Sequence, residues 1–586
     1  MILQTLLRPD PDRCEDKRMY YREEHGKLLF NTYFNVFSAG KWQEYTGIHN
    51  VSLKLRAKGS FEICLYDRNG ELGSSFYSFS EETELLLPIP WKKDSFCIWF
   101  SFEARDAGGE LLEGAYITED DPLHKIRLAL DICTFRREAY VQRNMELLTR
   151  YILENPASPL YGNTEVYLID NGQTLRQEDF PSEHIHLYPN VNAGGSGGFT
   201  RGLLEIGRDR EHLGLTHMIF MDDDAVLEPD SLVRTFALLS FVKEKYRKSC
   251  VSGAMLRLDM RHVLHELAPE WNGGTPADPH PDLDLRSFGN VLKSEEVGKG
   301  DYAAWWFACY PLDESRTEDL PMPYFIHMDD VEYGLRHRNG ILILNGICVW
   351  HEVFDNKRSS MLCYYDIRNI LVTGALHPQN ARKKQILKFF VKLTMANIMR
   401  YRYKDVFLSC LAVEDFCKGP GFMKAIDPEA YHKTIMEKGY LFRPVEELTE
   451  DPRVLKEISN YELRKRKYDC YKADFLSNKK KYILTLNGWI FPADQRRVWA
   501  YPFGIWPTAF FGKKQVILFD PDSWKGIKVE KSWEGLGRSI AGIAKICVLL
   551  LFRWRFVSAV FRKEAKNLRT PEAWRHYLRL DTDRNL

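Results

Sequence analysis

Three aspartates in succession, Asp222, Asp223 and Asp224, close the apolar run His217-Met218-Ile219-Phe220-Met221. Carboxylates clustered at the end of a strand sit where open α/β sheets bind ligands. A hard divalent cation such as Mg²⁺ or Mn²⁺ is held by one or two carboxylates together with a substrate's phosphates. The chemistry on offer is metal-assisted handling of a diphosphate; the triplet alone leaves an acidic, solvated turn open as the alternative. Val349-Trp350-His351 ends a second apolar run, and a strand-end histidine is either structural or, as neutral imidazole, a third metal ligand. Asp329 and Asp330 open a helical stretch within Pro323-Tyr324-Phe325-Ile326-His327-Met328-Asp329-Asp330-Val331-Glu332-Tyr333-Gly334-Leu335-Arg336, where a carboxylate caps the helix or serves as a general base. Asn192-Ala193-Gly194-Gly195-Ser196-Gly197-Gly198-Phe199 leads into a helix. Its glycines either form a turn or allow close approach of a phosphate to free N–H groups; the Lys-Ser/Thr pair of a P-loop is missing. Trp305 and Trp306 are adjacent, so in a strand at most one of them lines a given pocket, the alternatives being core packing and a sugar platform.

These groups need a scaffold that brings strand ends together. From residue 126 the pattern alternates strands and helices: a strand at 126–133, a helix at 138–153, then strands at 166–169, 184–189 and 216–221 with a helix around 200–212. That is an α/β domain with a largely parallel sheet. Residues 28–117 alternate with period two, as in Val51, Leu53 and Leu55 or Phe61, Ile63 and Leu65, the pattern of a β-sandwich or barrel. Beyond about 369 the patterns are mainly helical, at 385–402 and 404–416, while 482–506 is aromatic and interrupted by proline. The expected division is 1–120, 121–375 and 376–586.

Lysines plus arginines number 81 and so do aspartates plus glutamates, so no global charge excess points to nucleic acid. Twelve cysteines scattered from Cys14 to Cys547 without a CxxC pair fit buried thiols in a reducing cytosol. The first residues lack a basic segment followed by a long apolar core, so no signal peptide is expected. Residues 540–561 are strongly apolar but include Lys545, Arg553 and Arg555, which favours a membrane-surface helix or a core helix over a spanning one.

Taken together, the motifs resemble the polymerising galactofuranosyltransferase family, inverting nucleotide-sugar glycosyltransferases of GT-A fold. The resemblance rests on Cys133-Thr134-Phe135-Arg136-Arg137, Asp170-Asn171-Gly172, Asn192 with the Gly-rich segment, Met221-Asp222-Asp223-Asp224, Trp305-Trp306, Asp329-Asp330-Val331-Glu332-Tyr333-Gly334-Leu335-Arg336 and Trp350-His351. Upstream, Tyr33-Phe34-Asn35-Val36-Phe37 and Lys41-Trp42 resemble the family's N-terminal β-domain. The resemblance implies a GT-A, Rossmann-like central domain between an N-terminal β-sandwich or barrel and a mainly helical C-terminal domain. It implies Mn²⁺ or Mg²⁺ on Asp222, Asp224 and His351, with Asp223 turned toward the donor sugar or given to structure. Arg137, Asp170 and Asn192 would contact uridine diphosphate, Asp330 would be the catalytic base, Asp329, Trp305 and Trp306 would hold the acceptor, and Glu266 would touch a sugar hydroxyl. The implied reaction is inverting transfer of galactofuranose from UDP-galactofuranose to a growing cell-surface glycan or glycolipid, in the cytoplasm at the inner face of the membrane, by a chain that contacts the membrane peripherally and self-associates. A different donor such as dTDP-rhamnose, or a non-catalytic carbohydrate-binding protein, are the competing readings. The segment Ile326-His327-Met328 departs from the family's aromatic-containing form.

Overall fold

The computed structural model describes residues 1–580 except 93–94, 273–275, 278–281, 338, 354–358, 380–382, 461–469 and 522. The N-terminal region holds β1 (Ile2–Thr5), β2 (Arg22–Glu24), β3 (Lys27–Leu29), a short helix α1 (Ala39–Tyr45), β4 (Ser52–Asp67), β5 (Gly70–Pro88), β6 (Ile98–Ala104) and β7 (Glu110–Ile117). The strands form one antiparallel sheet in the order β1-β7-β4-β6-β3-β2, with β5 along the other edge of β4. The period-two residues Leu53, Leu55, Ala57, Phe61 and Ile63 are all buried, as one-sided burial of a strand requires. At Gly59 the partner of β4 changes from β7 to β6. Gly59 has φ +76°, and a Cβ there would lie 2.2 Å from the Gly108 backbone, so only glycine allows this curl.

The central sheet runs β10 (Ile185–Pro189), β9 (Thr164–Asp170), β8 (Leu128–Thr134), β11 (His217–Asp222), β19 (Ala308–Pro311), β13 (Cys250–Ser252), β20 (Ile341–Leu342). The first four are mutually parallel and β19 is antiparallel to β11, matching the expected largely parallel sheet. Helices α2 (Glu138–Leu148), α3 (Gly194–Leu213) and α4 (Pro229–Phe241) connect its parts. A second sheet begins directly after the aspartate triplet and runs β12 (Val226–Leu227), β21 (Cys348–His351), β14 (Ala254–Arg257), β15 (Val263–Glu266), β18 (Leu283–Asp284); β16 (Glu270–Trp271) and β17 (Pro276–Ala277) pair separately. Then come α5 (Phe288–Glu296), α6 (Glu314–Glu318) and α7 (Asp329–Arg336). The N-terminal sheet domain leans on this second sheet: Phe34 lies 5.8 Å from the ring of Trp350, and buried Arg234 of α4 donates to the Phe34 carbonyl.

The C-terminal region packs α8 (Ser360–Leu376), α9 (Lys383–Met399), α10 (Tyr403–Lys418) and a long helix, Trp533–Glu564, against one another. It is not only helical. A four-stranded sheet, β22 (Arg443–Pro444), β25 (Lys525–Glu530), β24 (Lys513–Phe519), β23 (Asp494–Pro502), is built into it. Its sequence signal is poor for physical reasons. Only the last three residues of β23 are buried, so no alternation is imposed on it. The apolar half of β24, Val516-Ile517-Leu518-Phe519, is buried throughout, and a continuous apolar run does not distinguish strand from helix.

Candidate functional site

The site forms where β8, β9 and β11 end. Asp222 is the last residue of β11, opposite Cys133 of β8. The chain then turns into β12, whose Val226 pairs with Trp350 of β21, and this pairing carries His351 back over the triplet. His351 Nε2 lies 2.9 Å from Asp224 Oδ1 and 3.6 Å from Asp222 Oδ2. One donor atom from each of Asp222, Asp224 and His351 falls within a 4.8 Å cluster. The His351 Nδ1–H donates to the Glu352 carbonyl at 2.7 Å, the kind of hydrogen bond that fixes the tautomer and leaves Nε2 for a metal. Two carboxylates and one imidazole suit Mn²⁺ or Mg²⁺, and three protein ligands leave coordination positions for substrate oxygens.

Asp223 faces the other way. Its carboxylate accepts from Thr134 Oγ1 at 2.7 Å and from Arg137 at 2.9 Å, while Asn144 donates to the carbonyls of Asp223 and Ala225. Arg137 also reaches Asp224 Oδ2 at 2.7 Å. Burial drives the carboxyls of Asp222 and Asp223 above the usual range, and the crowding of like charge adds to it, against the pull of Arg137 on both and of His351 on Asp222. For His351 burial acts to lower the pKa, but the hydrogen bond and charge of Asp224 prevail and raise it. This excess of acid, stored at a strand edge, is what a divalent cation would relieve.

Asp330 stands in the first turn of α7. Its Oδ1 accepts from Val331 N at 2.7 Å. Neither Asp329 nor Asp330 is the capping residue, which is Met328. Burial, then the charge of Asp329, lift the Asp330 carboxyl to about 7; Asp222 contributes in the same direction, so the two acids share one field. The loop before α7 is strained: Phe325, His327 and Met328 have φ of 73°, 63° and 71°, each a conformation that costs a non-glycine residue about 1–3 kcal/mol and persists only where surroundings dictate it. Here fully buried Asn369 of α8 does so, donating to the carbonyls of Tyr324, Ile326 and His327. His327 Nδ1 meets Asp366 Oδ1 at 2.7 Å. Although burial opposes it, Asp366 raises His327 to about 9, leaving a cation beside Asp329 and Asp330 at neutral pH. Asp366, Asn369 and Asn144 were not among the residues singled out in the sequence; their partners lie 39 to 81 positions away, beyond any local spacing signal.

The remaining candidates are placed as follows. Asn192 Oδ1 accepts from Gly194 N at 3.1 Å, at the start of α3. The Gly-rich run is the first turns of α3 rather than a loop. A Cβ on Gly194 (φ +70°) would lie 1.9 Å from the Phe325 carbonyl, on Gly198 1.9 Å from Cys133 Sγ, and on Gly202 2.0 Å from an Asp131 oxygen. The glycines let α3 press against β8 and against the strained loop. Asp170, 1% exposed, spends both oxygens on the amides of Gly172, Thr174 and Leu175. Trp305 and Trp306 lie in a turn and face different ways: Trp305 packs among Phe199, Phe220 and Tyr333, while Trp306 donates its Nε1–H to the Gly253 carbonyl. Both are buried. Glu266 pairs with Met255, which in turn pairs with Val349, so it lies two strands from the His351 strand.

Residues 9–119 match the family model described as Galactofuranosyltransferase 2 N-terminal. The galactofuranosyltransferase GlfT2 of Mycobacterium tuberculosis is 26% identical over 479 residues, covering 72% of this chain and 72% of that protein. GlfT2 of Mycolicibacterium smegmatis is 26% identical over 477 residues, covering 72% of this chain and 71% of that one. A solved acetyl xylan esterase from the rumen bacterium Butyrivibrio proteoclasticus aligns with 10% identity over 41% of this chain and 82% of its own, but a TM-score of 0.12 carries no argument. The chain is therefore a relative of the galactofuranosyltransferases, the family its motifs resemble, and it is an enzyme, a glycosyltransferase.

Proposed function

We propose that the protein transfers galactofuranose from a UDP-linked donor to a growing cell-surface glycan, with inversion, on a central domain of GT-A fold. The observation that carries this reading is the convergence of Asp222, Asp224 and His351 within 4.8 Å, in the same field as Asp330. Those three side chains would hold Mn²⁺ or Mg²⁺. Bound there, the metal would offset the negative charge that builds on the departing diphosphate. Arg137 holds Asp223 and Asp224 in place and adds positive charge beside the diphosphate. The Asn192 side-chain NH₂ and the Gly195 amide would offer donors to its oxygens, the Gly194 and Ser196 amides being held by Asn192 Oδ1 and the Phe325 carbonyl, and Asp170 shapes the turn that would lie beside the nucleotide. Asp223, locked by Thr134 and Arg137, presents no oxygen to the metal and faces the donor side.

Asp330 takes the proton of the acceptor hydroxyl as that oxygen attacks the anomeric carbon from the face opposite the diphosphate. One base and a single displacement invert the anomeric centre. Asp329 would support the acceptor side, with Trp305 packed beneath α7 through Tyr333 and Trp306 fixed to the Gly253 carbonyl, and Glu266 would reach a sugar hydroxyl. The same reading places the chain in the cytoplasm at the inner membrane face, as a self-associating protein that touches the membrane through the helix Trp533–Glu564. Incubation of the purified protein with UDP-galactofuranose and a galactan oligosaccharide, with and without Mn²⁺, tests the proposal. The expected product is an extended chain, formed only with the metal and carrying an inverted linkage by NMR. Turnover of dTDP-rhamnose but not UDP-galactofuranose, or retention of configuration, would overturn it.

A further inference from the structure

A cavity of about 580 Å³ lies at the opposite end of the central sheet from the aspartates. It opens where β8 and β11 begin and β19 ends, bounded by the last turns of α3 and α4. Its floor is apolar, built from Ile126, Leu215, Leu239, Val242 and Leu312. Its rim is cationic: Lys125, Arg210, Lys245, Arg247 and Lys248 face two carboxylates, Glu244 and Asp313. Both carboxylates already have arginine partners, Arg247 at 3.6 Å and Arg316 at 2.7 Å. Low-dielectric walls and an excess of cations at the mouth favour an anion there.

The second observation is His217, which lines the cavity and is 7% exposed. Its Nδ1 lies 3.0 Å from Thr216 Oγ1. That hydroxyl donates to the Arg127 carbonyl and accepts from the Arg127 amide. With its proton spent, Thr216 Oγ1 receives His217 Nδ1–H, and Nε2 is left with a lone pair. Nε2 is buried and has no protein partner. Burial, then the charge of Arg316, hold the ring neutral, with its pKa down at about 3. A buried acceptor without a partner is unfavourable, and a ligand hydroxyl that reaches it would satisfy it.

We propose that this cavity is a second, non-catalytic binding site for a phosphate ester with a compact, uncharged, hydroxyl-bearing body, a sugar phosphate or a nucleoside phosphate. The phosphate is met by the Arg210 and Lys248 rim, the body by the apolar floor, and one hydroxyl by His217 Nε2. Its volume falls in the range of small-molecule sites, roughly 300–1,000 Å³. His217 and Asp222 are the first and last residues of β11, about 17 Å apart at roughly 3.3 Å per residue, so a ligand here and one on the aspartates occupy separate places.

The test uses the full chain carrying Asp224→Asn, in EDTA, so that metal-supported binding at the aspartates is removed. Calorimetric titrations with glucose 1-phosphate, uridine 5′-monophosphate, inorganic phosphate, and neutral glucose and uridine separate the sources. One of the two esters is expected to bind, at least about tenfold tighter than inorganic phosphate, with no binding of the neutral compounds. Arg210→Gln with Lys248→Gln, surface changes that leave the core intact, is expected to weaken that binding by at least tenfold, and ¹⁵N-histidine NMR should show the His217 Nε2 resonance move on titration. No binding of either ester at millimolar concentration overturns the proposal, as does binding indifferent to the rim variant or without a shift at His217.

Discussion

As the proposed base, Asp330 would have to be ionised when the acceptor hydroxyl arrives, yet burial and Asp329 push its carboxyl up to about 7. The rate of transfer is therefore expected to fall as pH drops through about 7, since the protonated acid cannot accept. Asp330→Asn should lower kcat by roughly 10²–10⁴-fold, the usual worth of general base catalysis, and abolish that limb of the pH profile. The same shift bears on stability. A carboxyl whose folded pKa lies above its unfolded value of 3.8 binds its proton more tightly in the folded state, so its contribution is complete below pH 3.8 and is lost as pH rises through about 7. The variant should thus melt no lower than the parent at pH 8, a result that scanning calorimetry would check. Asp224→Asn addresses the other acid group. Manganese at a hundred times its dissociation constant should stabilise the parent by about 2.7 kcal/mol and leave the variant's melting temperature unmoved. The acids and His351 were legible as candidates because each ends or begins a recognisable local run. Their partnership with Arg137 and Asn144 was not, because ion pairs and hydrogen bonds across 79 to 86 residues leave no spacing to read.

At the scale of elements, close packing and imposed strain position the site. Gly198→Ala would drive a methyl into Cys133 Sγ, and overpacking of this kind costs about 1–3 kcal/mol. Adding Cys133→Ala should return much of that loss, a coupling that a double-mutant cycle by urea denaturation would measure. Asn369→Ala should free the Ile326 and His327 carbonyls of the loop before α7, leaving the Tyr324 carbonyl to Arg368, and lower kcat more than it raises KM, since the loop would aim the proposed base Asp330. An equal fall in rate and affinity for the acceptor would count against that aiming role. The alternating strands and helices of the central domain could be read because each parallel strand is a short apolar run between helices. From sequence the glycines read as a turn or as a close approach for a phosphate, because glycine-rich runs serve both. Their use, as a smooth face letting α3 lie on β8, depends on what the helix meets. The sheet β22 to β25 was missed because β23 is buried only at its end and β24 closes in a continuous apolar run, so neither carries a period, and the alternation of β25 spans only Ile527 to Glu530.

Across the whole molecule, the long helix Trp533–Glu564 buries Leu536, Ile543, Ile546, Leu550 and Phe561 against its neighbours but leaves Ile540, Val548, Leu551, Phe552 and Phe556 exposed. It is long and apolar enough to cross a membrane by length and composition, with 28% of its most apolar window buried. Arg553, Arg555, Arg562 and Lys563 accompany the exposed face, the composition of a helix that lies on an anionic surface. Phe552→Ser with Phe556→Ser is expected to lower co-sedimentation with vesicles containing phosphatidylglycerol by several-fold while leaving transfer to a soluble acceptor unchanged. Equal sedimentation of parent and variant would remove this face as the contact. The end of the described chain turns back toward the site. Trp574 gives its Nε1–H to the Pro321 carbonyl, 253 residues earlier, and joins Ala193, Phe199 and Trp305 in one core, while Arg569 reaches Glu332 of α7. At a synthesis rate of roughly 5–20 residues per second, the apolar seat for Trp574 stands open for about 10–50 s after Pro321 is made. For that interval each new molecule exposes a surface that a holding chaperone can bind, and α7, with the proposed base, gains this support only once Arg569 and Trp574 have been made.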